Sequence, residues 1–127
     1  MKLRATVRVQ PGQGGTTRAS NRLSNFNMKI YTRNCVGMNN RTKLHEVLNS
    51  AKTSTIAFLQ ETKLQPAKIA EIRSKWKNHE GVFMASAPEG SRRGVVTLFS
   101  DKLEVTHMDH HADDQGQFIV NICNSSN

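Results

Sequence analysis

Cysteine is scarce in this chain, with only Cys35 and Cys123 among 127 residues. Two are too few for a disulfide framework, and their spacing matches no zinc pattern. The plain reading is a pair of buried, reduced thiols. Long apolar runs are missing as well. No stretch approaches the roughly 20 apolar residues that a bilayer demands, so the chain reads as soluble, with no membrane partner. Aromatic residues are few: one Trp, one Tyr and five Phe. They do not interleave with basic residues, which argues against a stacking platform for single-stranded nucleic acid. Acids are absent from the first 27 residues, although Lys2, Arg4, Arg8, Arg18 and Arg22 lie there. No apolar core follows Lys2 and Arg4, so no secretory signal is visible. The glycines near residue 12 lack the Gly-Lys-Ser/Thr ending of a phosphate loop.

What is present in quantity is positive charge. Eighteen Lys and Arg against ten Asp and Glu give a net +8, a balance that favours anionic partners, phosphate backbones above all. The charge is uneven: +5 falls in residues 1–27 and +3 in residues 28–127. The segment Gln10-Pro11-Gly12-Gln13-Gly14-Gly15-Thr16-Thr17 is turn-forming and carries no period. Residues 1–27 therefore read as a flexible basic leader and residues 28–127 as one domain with a single core. An acid-free leader rich in Arg, Ser and Thr also suits an organelle transit peptide. Organelle targeting thus stays open beside a nuclear or cytoplasmic location.

Periodicity places the elements. Met28 to Asn34 reads as a strand, followed by a glycine turn at Gly37. Asn39 or Asn40 can cap a helix over about residues 41–51, with Leu44, Val47, Leu48 and Ala51 on one face. The run Ile56-Ala57-Phe58-Leu59 is a buried strand bounded by polar residues. Pro66 suits the first turn of a second helix that buries Ile69, Ile72 and Trp76. Lys68, Arg73, Lys75 and Lys77 then form its solvated faces. From residue 82 the pattern is strands: 82–85, 94–100, 103–106 and 118–122.

Two strands deliver a polar residue to the same kind of edge. Asn34 ends the first, and Glu61 falls just past Leu59-Gln60, where open α/β sheets place their chemistry. Taken alone, Glu61 reads as an ordinary carboxylate at a strand end, and for Asn34 a turn residue bonding its own backbone competes with a site role.

Lys29-Ile30 to Asn34, Gly37, Phe58-Leu59-Gln60-Glu61-Thr62, Ser91-Arg92-Arg93-Gly94-Val95-Val96 and Asp114-Gln115-Gly116-Gln117-Phe118-Ile119-Val120 together resemble the endonuclease/exonuclease/phosphatase family. Within it they look most like the apurinic-type endonuclease domain of LINE-type retrotransposons. The resemblance covers residues 28–127 and corresponds to the N-terminal portion of that domain. It implies an α+β fold: the N-terminal half of a four-layered α/β/β/α sandwich, one mainly antiparallel sheet with flanking helices. It implies Mg²⁺-dependent phosphodiester hydrolysis on DNA, with Mn²⁺ as a substitute ion. Glu61 takes the place of the metal-binding glutamate. Asn34 takes that of the amide serving the scissile phosphate and the metal's shell. A hard cation such as Mg²⁺ needs only one or two carboxylates because it keeps several waters.

The chain also departs from the family. Arg33 replaces a large apolar residue, and Val36 replaces a polar or basic one. The Asp-x-Asn pair and the terminal Asp-His pair have no counterparts, and Tyr31 lies in the first strand, far ahead of the family's tyrosine. A missing C-terminal half or a reverse transcriptase domain is the implied partner, and a catalytically inactive remnant with weak nucleic-acid affinity is the alternative. One sheet alone would also leave an apolar face uncovered. The cluster His107-Met108-Asp109-His110-His111-Ala112-Asp113-Asp114 reads as a solvated loop, since its residues lack metal-ligand spacing. For Arg92 and Arg93, a DNA phosphate contact and a charged turn both stay open.

Overall fold

The computed structural model describes residues 4–10, 28–89, 91–101, 103 and 105–125. Along them run β1 (Arg4–Gln10), β2 (Ile30–Asn34), α1 (Arg41–Ala51), β3 (Ile56–Gln60), α2 (Lys68–Lys75), β4 (Val82–Ala85), β5 (Val95–Phe99), β6 (Val105–Ala112) and β7 (Phe118–Ser125). A single 3₁₀ turn at His79–Gly81 leads into β4.

Helix α1 starts where the sequence offers a cap. The Asn40 side-chain oxygen accepts from the backbone N–H groups of Thr42 (2.8 Å) and Lys43 (3.2 Å), satisfying two donors that the first turn leaves open. Its buried residues are Leu44, Val47, Leu48 and Ala51, the face expected from their spacing. Helix α2 begins at Lys68, two residues after Pro66, whose carbonyl accepts from Ile69 N–H (3.2 Å). Ile72 and Trp76 are buried and Ile69 packs partly against them.

The chain is of mixed α and β content, with two sheets. Four strands order as β2-β3-β5-β4 and three as β1-β7-β6. Strands β2 and β3 are parallel because α1 carries the chain back between them. Strand β5 is antiparallel to both of its neighbours, so pairing in this sheet is mainly antiparallel. The four-stranded sheet has two covered faces. Ala57, Leu59, Val82, Val96 and Leu98 pack under the helices with Leu44, Val47, Leu48, Ile72 and Trp76. Ile56, Phe83, Ala85, Val95 and Phe99 pack with Ile119 of the three-stranded sheet, Phe83 and Phe99 meeting edge to face at 5.8 Å.

Three expectations change here. First, a single sheet is replaced by two, so the apolar face that one sheet would leave bare is covered by β7 and β6. Second, residues 4–10, expected within a flexible leader, form β1, paired in parallel with β7 from Arg4↔Phe118 to Gln10↔Asn124. Thr6, Val7 and Val9 are β-branched, and they find a ladder whose other strand lies more than a hundred residues on, a partner that local sequence does not reveal. The rest of the expected leader, residues 1–3 and 11–27, lies outside the described residues. Third, the His107–Asp114 cluster is not a loop. Strand β6 runs through it to Ala112, and only Asp113 and Asp114 turn toward β7. Asp109, His110 and His111 are nevertheless exposed. No described helix is long and apolar enough to cross a membrane.

Candidate functional site at the carboxyl ends of β2 and β3

Register sets the geometry. Asn34 lies opposite Gln60 in the parallel pair, and Gln60 lies opposite Val95 in the antiparallel one. Residues leaving β2 and β3 and residues entering β5 therefore share one edge. The ladder continues past the strand ends. Cys35 N–H donates to Gln60 O (2.8 Å), Gly37 N–H to Glu61 O (2.7 Å) and Met38 N–H to Thr62 O (2.9 Å). From the other side, Thr62 N–H donates to Gly94 O (3.0 Å) and Lys63 N–H to Arg93 O (2.9 Å). Two sequence blocks, one around Glu61 and one around Gly94, are thus tied backbone to backbone.

This edge is strained. Val36, Glu61 and Lys63 all take left-handed backbone, with φ of 51°, 49° and 58°. Such conformations cost about 1–3 kcal/mol each and gather where a structure over-determines its local geometry, often at working sites. Val36 is the sharpest case, being β-branched and 67% exposed. Gly94 explains how the strands approach so closely. Its φ is +114°, and a Cβ there would sit 2.5 Å from Thr62 Oγ1 and 3.1 Å from Lys63 N. Only glycine fits.

Asn34 and Glu61 are brought together. The Asn34 Nδ2 group donates to Glu61 Oε2, and Asn34 Oδ1 accepts from Val36 N–H at 3.2 Å. Asn34 thus makes both the turn bond and the contact to the acid. The contact to the acid orients the carboxylate, and the Glu61 oxygens, with the second lone pair of Asn34 Oδ1, are the donors this edge could offer a cation. Those donors fit a hard divalent ion, which accepts a single carboxylate and keeps its waters. Among the described residues no group of three His, Cys, Asp or Glu side chains could enclose an ion.

Sequence reasoning passed over Lys63. Its side chain runs across Gly37, with Cδ 3.1 Å and Nζ 3.7 Å from where a Cβ on that glycine would be, and Asn39 Nδ2 donates to its carbonyl at 2.9 Å. The available signal was its place two residues after Glu61. Arg93 joins the same edge through its backbone, held by Lys63 N–H and by its own N–H donating to Ser91 Oγ (2.9 Å). Arg33 does not join it. Its guanidinium donates to Tyr31 Oη (3.4 Å) and to Glu46 Oε1 on α1 (3.1 Å). The Tyr31 and Glu46 contacts hold its pKa above the ordinary arginine value. Cys35 is buried beside the site, and burial pushes its thiol pKa up, so it is a packing residue rather than a nucleophile. The side chain of Cys123 is not among those described. The histidines of β6 lie in the other sheet, with His110 against Phe83 (ring centroids 4.8 Å).

No protein-family model matches this chain, and no curated protein matches it.

Proposed function

We propose that this chain carries the N-terminal part of a Mg²⁺-dependent DNA endonuclease domain of the LINE retrotransposon type, built on the endonuclease/exonuclease/phosphatase sandwich. The observation that carries the reading is the hydrogen bond from Asn34 to Glu61, which joins residues 27 apart in sequence. The order of helices, four-stranded sheet and three-stranded sheet is consistent with three of the four layers of that sandwich.

In this reading Glu61 holds the divalent ion, and Asn34 keeps the carboxylate aimed outward. A bound ion supplies charge compensation at the phosphate and activates water. Lys63, whose side chain crosses Gly37, brings positive charge to this edge for the DNA backbone. A second reading, an inactive remnant with weak nucleic-acid affinity, is favoured by one observation. The sequence contains no Asp-x-Asn pair to orient a nucleophile.

Nicking of supercoiled plasmid separates the two. With Mg²⁺, the enzyme reading expects conversion to open circles that Glu61→Ala abolishes. Equal background from both proteins overturns it and leaves the remnant.

A further inference from the structure

At the other end of the four-stranded sheet lies a cavity of about 360 Å³. β3 enters the sheet there at Ile56, opposite Phe99, and leaves at Gln60, opposite Val95. The cavity and the Asn34–Glu61 edge thus lie at opposite ends of one strand. Leu48 and Trp76 form its apolar floor, and both are buried. Trp76 Nε1 donates to the Phe99 carbonyl at 2.8 Å, which satisfies the indole's only donor and holds the ring in one orientation.

The mouth is cationic. Lys52, Lys75 and Lys77 line it, with Asp101 as the one acid. Among the described residues none of these three ammonium groups has an ion-pair or hydrogen-bond partner, unlike Lys68, which pairs with Glu71 at 3.4 Å. An apolar floor under a mouth of uncompensated cations selects a ligand with a flat hydrophobic body and an anionic end. Pockets that hold small molecules begin at about 300 Å³, so this one suits a single ring or a mononucleotide-sized body.

We propose that this cavity binds a small aromatic phosphate, with its ring seated on Leu48 and Trp76 and its phosphate held by Lys52, Lys75 and Lys77. The inference does not depend on the nuclease reading, because none of these residues belongs to the other edge.

The chain contains one tryptophan, and it lines this cavity, so its emission responds to a ligand seated there. Titration with phenyl phosphate should give a saturable change in Trp76 fluorescence. Inorganic phosphate should bind about tenfold more weakly or worse, since it leaves the floor empty. The double variant Lys52→Ala/Lys77→Ala, altered only at exposed positions, should lose about tenfold in affinity, a charge-assisted contact removed. Asp101→Asn should gain about threefold by removing the opposing charge. The lysines could instead serve only as counter-charges to the carboxyl ends of α1 and α2. In that case the double variant lowers thermal stability while leaving phenyl phosphate binding unchanged, and the proposal is overturned. Absence of any saturable response in the unaltered protein overturns it as well.

Discussion

The two faces of the four-stranded sheet are buried to similar depth but built differently. On the helical face, Ala57, Leu59, Val96 and Leu98 meet Leu44, Val47, Leu48 and Ile72, all of them apolar. The polar group that enters there, Trp76 Nε1, is bonded to Phe99 O. On the face toward β6 and β7, Ile56, Phe83, Val95, Phe99 and Ile119 share the interface with Thr97 and Asn121, both fully buried. Among the described residues, the Oγ1 of Thr97 and both polar side-chain atoms of Asn121 have no hydrogen-bond partner. A buried polar group without a partner costs about 1–3 kcal/mol. The helical face therefore contributes stability with little offset, whereas the sheet-to-sheet interface gives part of its hydrophobic gain back. The firm half of this core is the half made by local periodicity.

Substitutions can break or sharpen that contrast. The largest effect is expected from Leu59→Ala, which empties a fully buried site on the helical face and should cost about 2–5 kcal/mol in urea unfolding. A loss well below this range would show that the helical face is no firmer than the other. Gly94→Ala comes next. The added Cβ meets Thr62 Oγ1 at a backbone angle that alanine avoids, so a loss of roughly 1–3 kcal/mol is expected, read as a lower denaturation midpoint. Plasmid nicking should fall with it, because Gly94 holds the chain against Thr62 and Lys63.

Thr97→Val tests the other face and should act in the opposite direction. It removes an unpartnered hydroxyl at nearly constant shape and should stabilise by about 1 kcal/mol. A destabilisation instead would mean that the hydroxyl is satisfied in solution. At the strained edge, Val36→Asn should stabilise by up to about 1 kcal/mol, since asparagine tolerates left-handed backbone far better than a β-branched residue. The smallest effect belongs to Arg33→Ala. Its exposed pair with Glu46 should contribute under about 1 kcal/mol and should fade as salt is added to the thermal melt.

The legible parts of the sequence were the local ones. Asn40 as a cap, the Leu44-Val47-Leu48-Ala51 stripe, the short run of β3 and the place of Glu61 at its end all follow from spacing within a dozen residues. Strand β6 was legible only at its start, where the expected strand 103–106 overlaps Val105 and Thr106. Beyond them Asp109, His110 and His111 are polar and exposed and leave no hydrophobic alternation to read. Strand β1 failed for a related reason: its ladder partner β7 lies at the far end of the chain. Lys63 stood in plain view, but nothing local says that its side chain crosses Gly37.

By itself, then, the sequence determined the two helices and the central strands, because helix faces and buried strands are written in short-range periodicity; Asn34 and Glu61 stood out through the motif blocks they share. The tertiary structure alone decided that a second sheet covers the first and that Arg33 turns away to Glu46. It also decided that Asn34 and Glu61 touch, and that three lysines surround the cavity floored by Trp76. The sheet contacts among these depend on parallel or antiparallel register between segments far apart along the chain, and the others on how the helices pack against the sheet. Register is chosen by the packing of the whole core rather than by any one stretch of it.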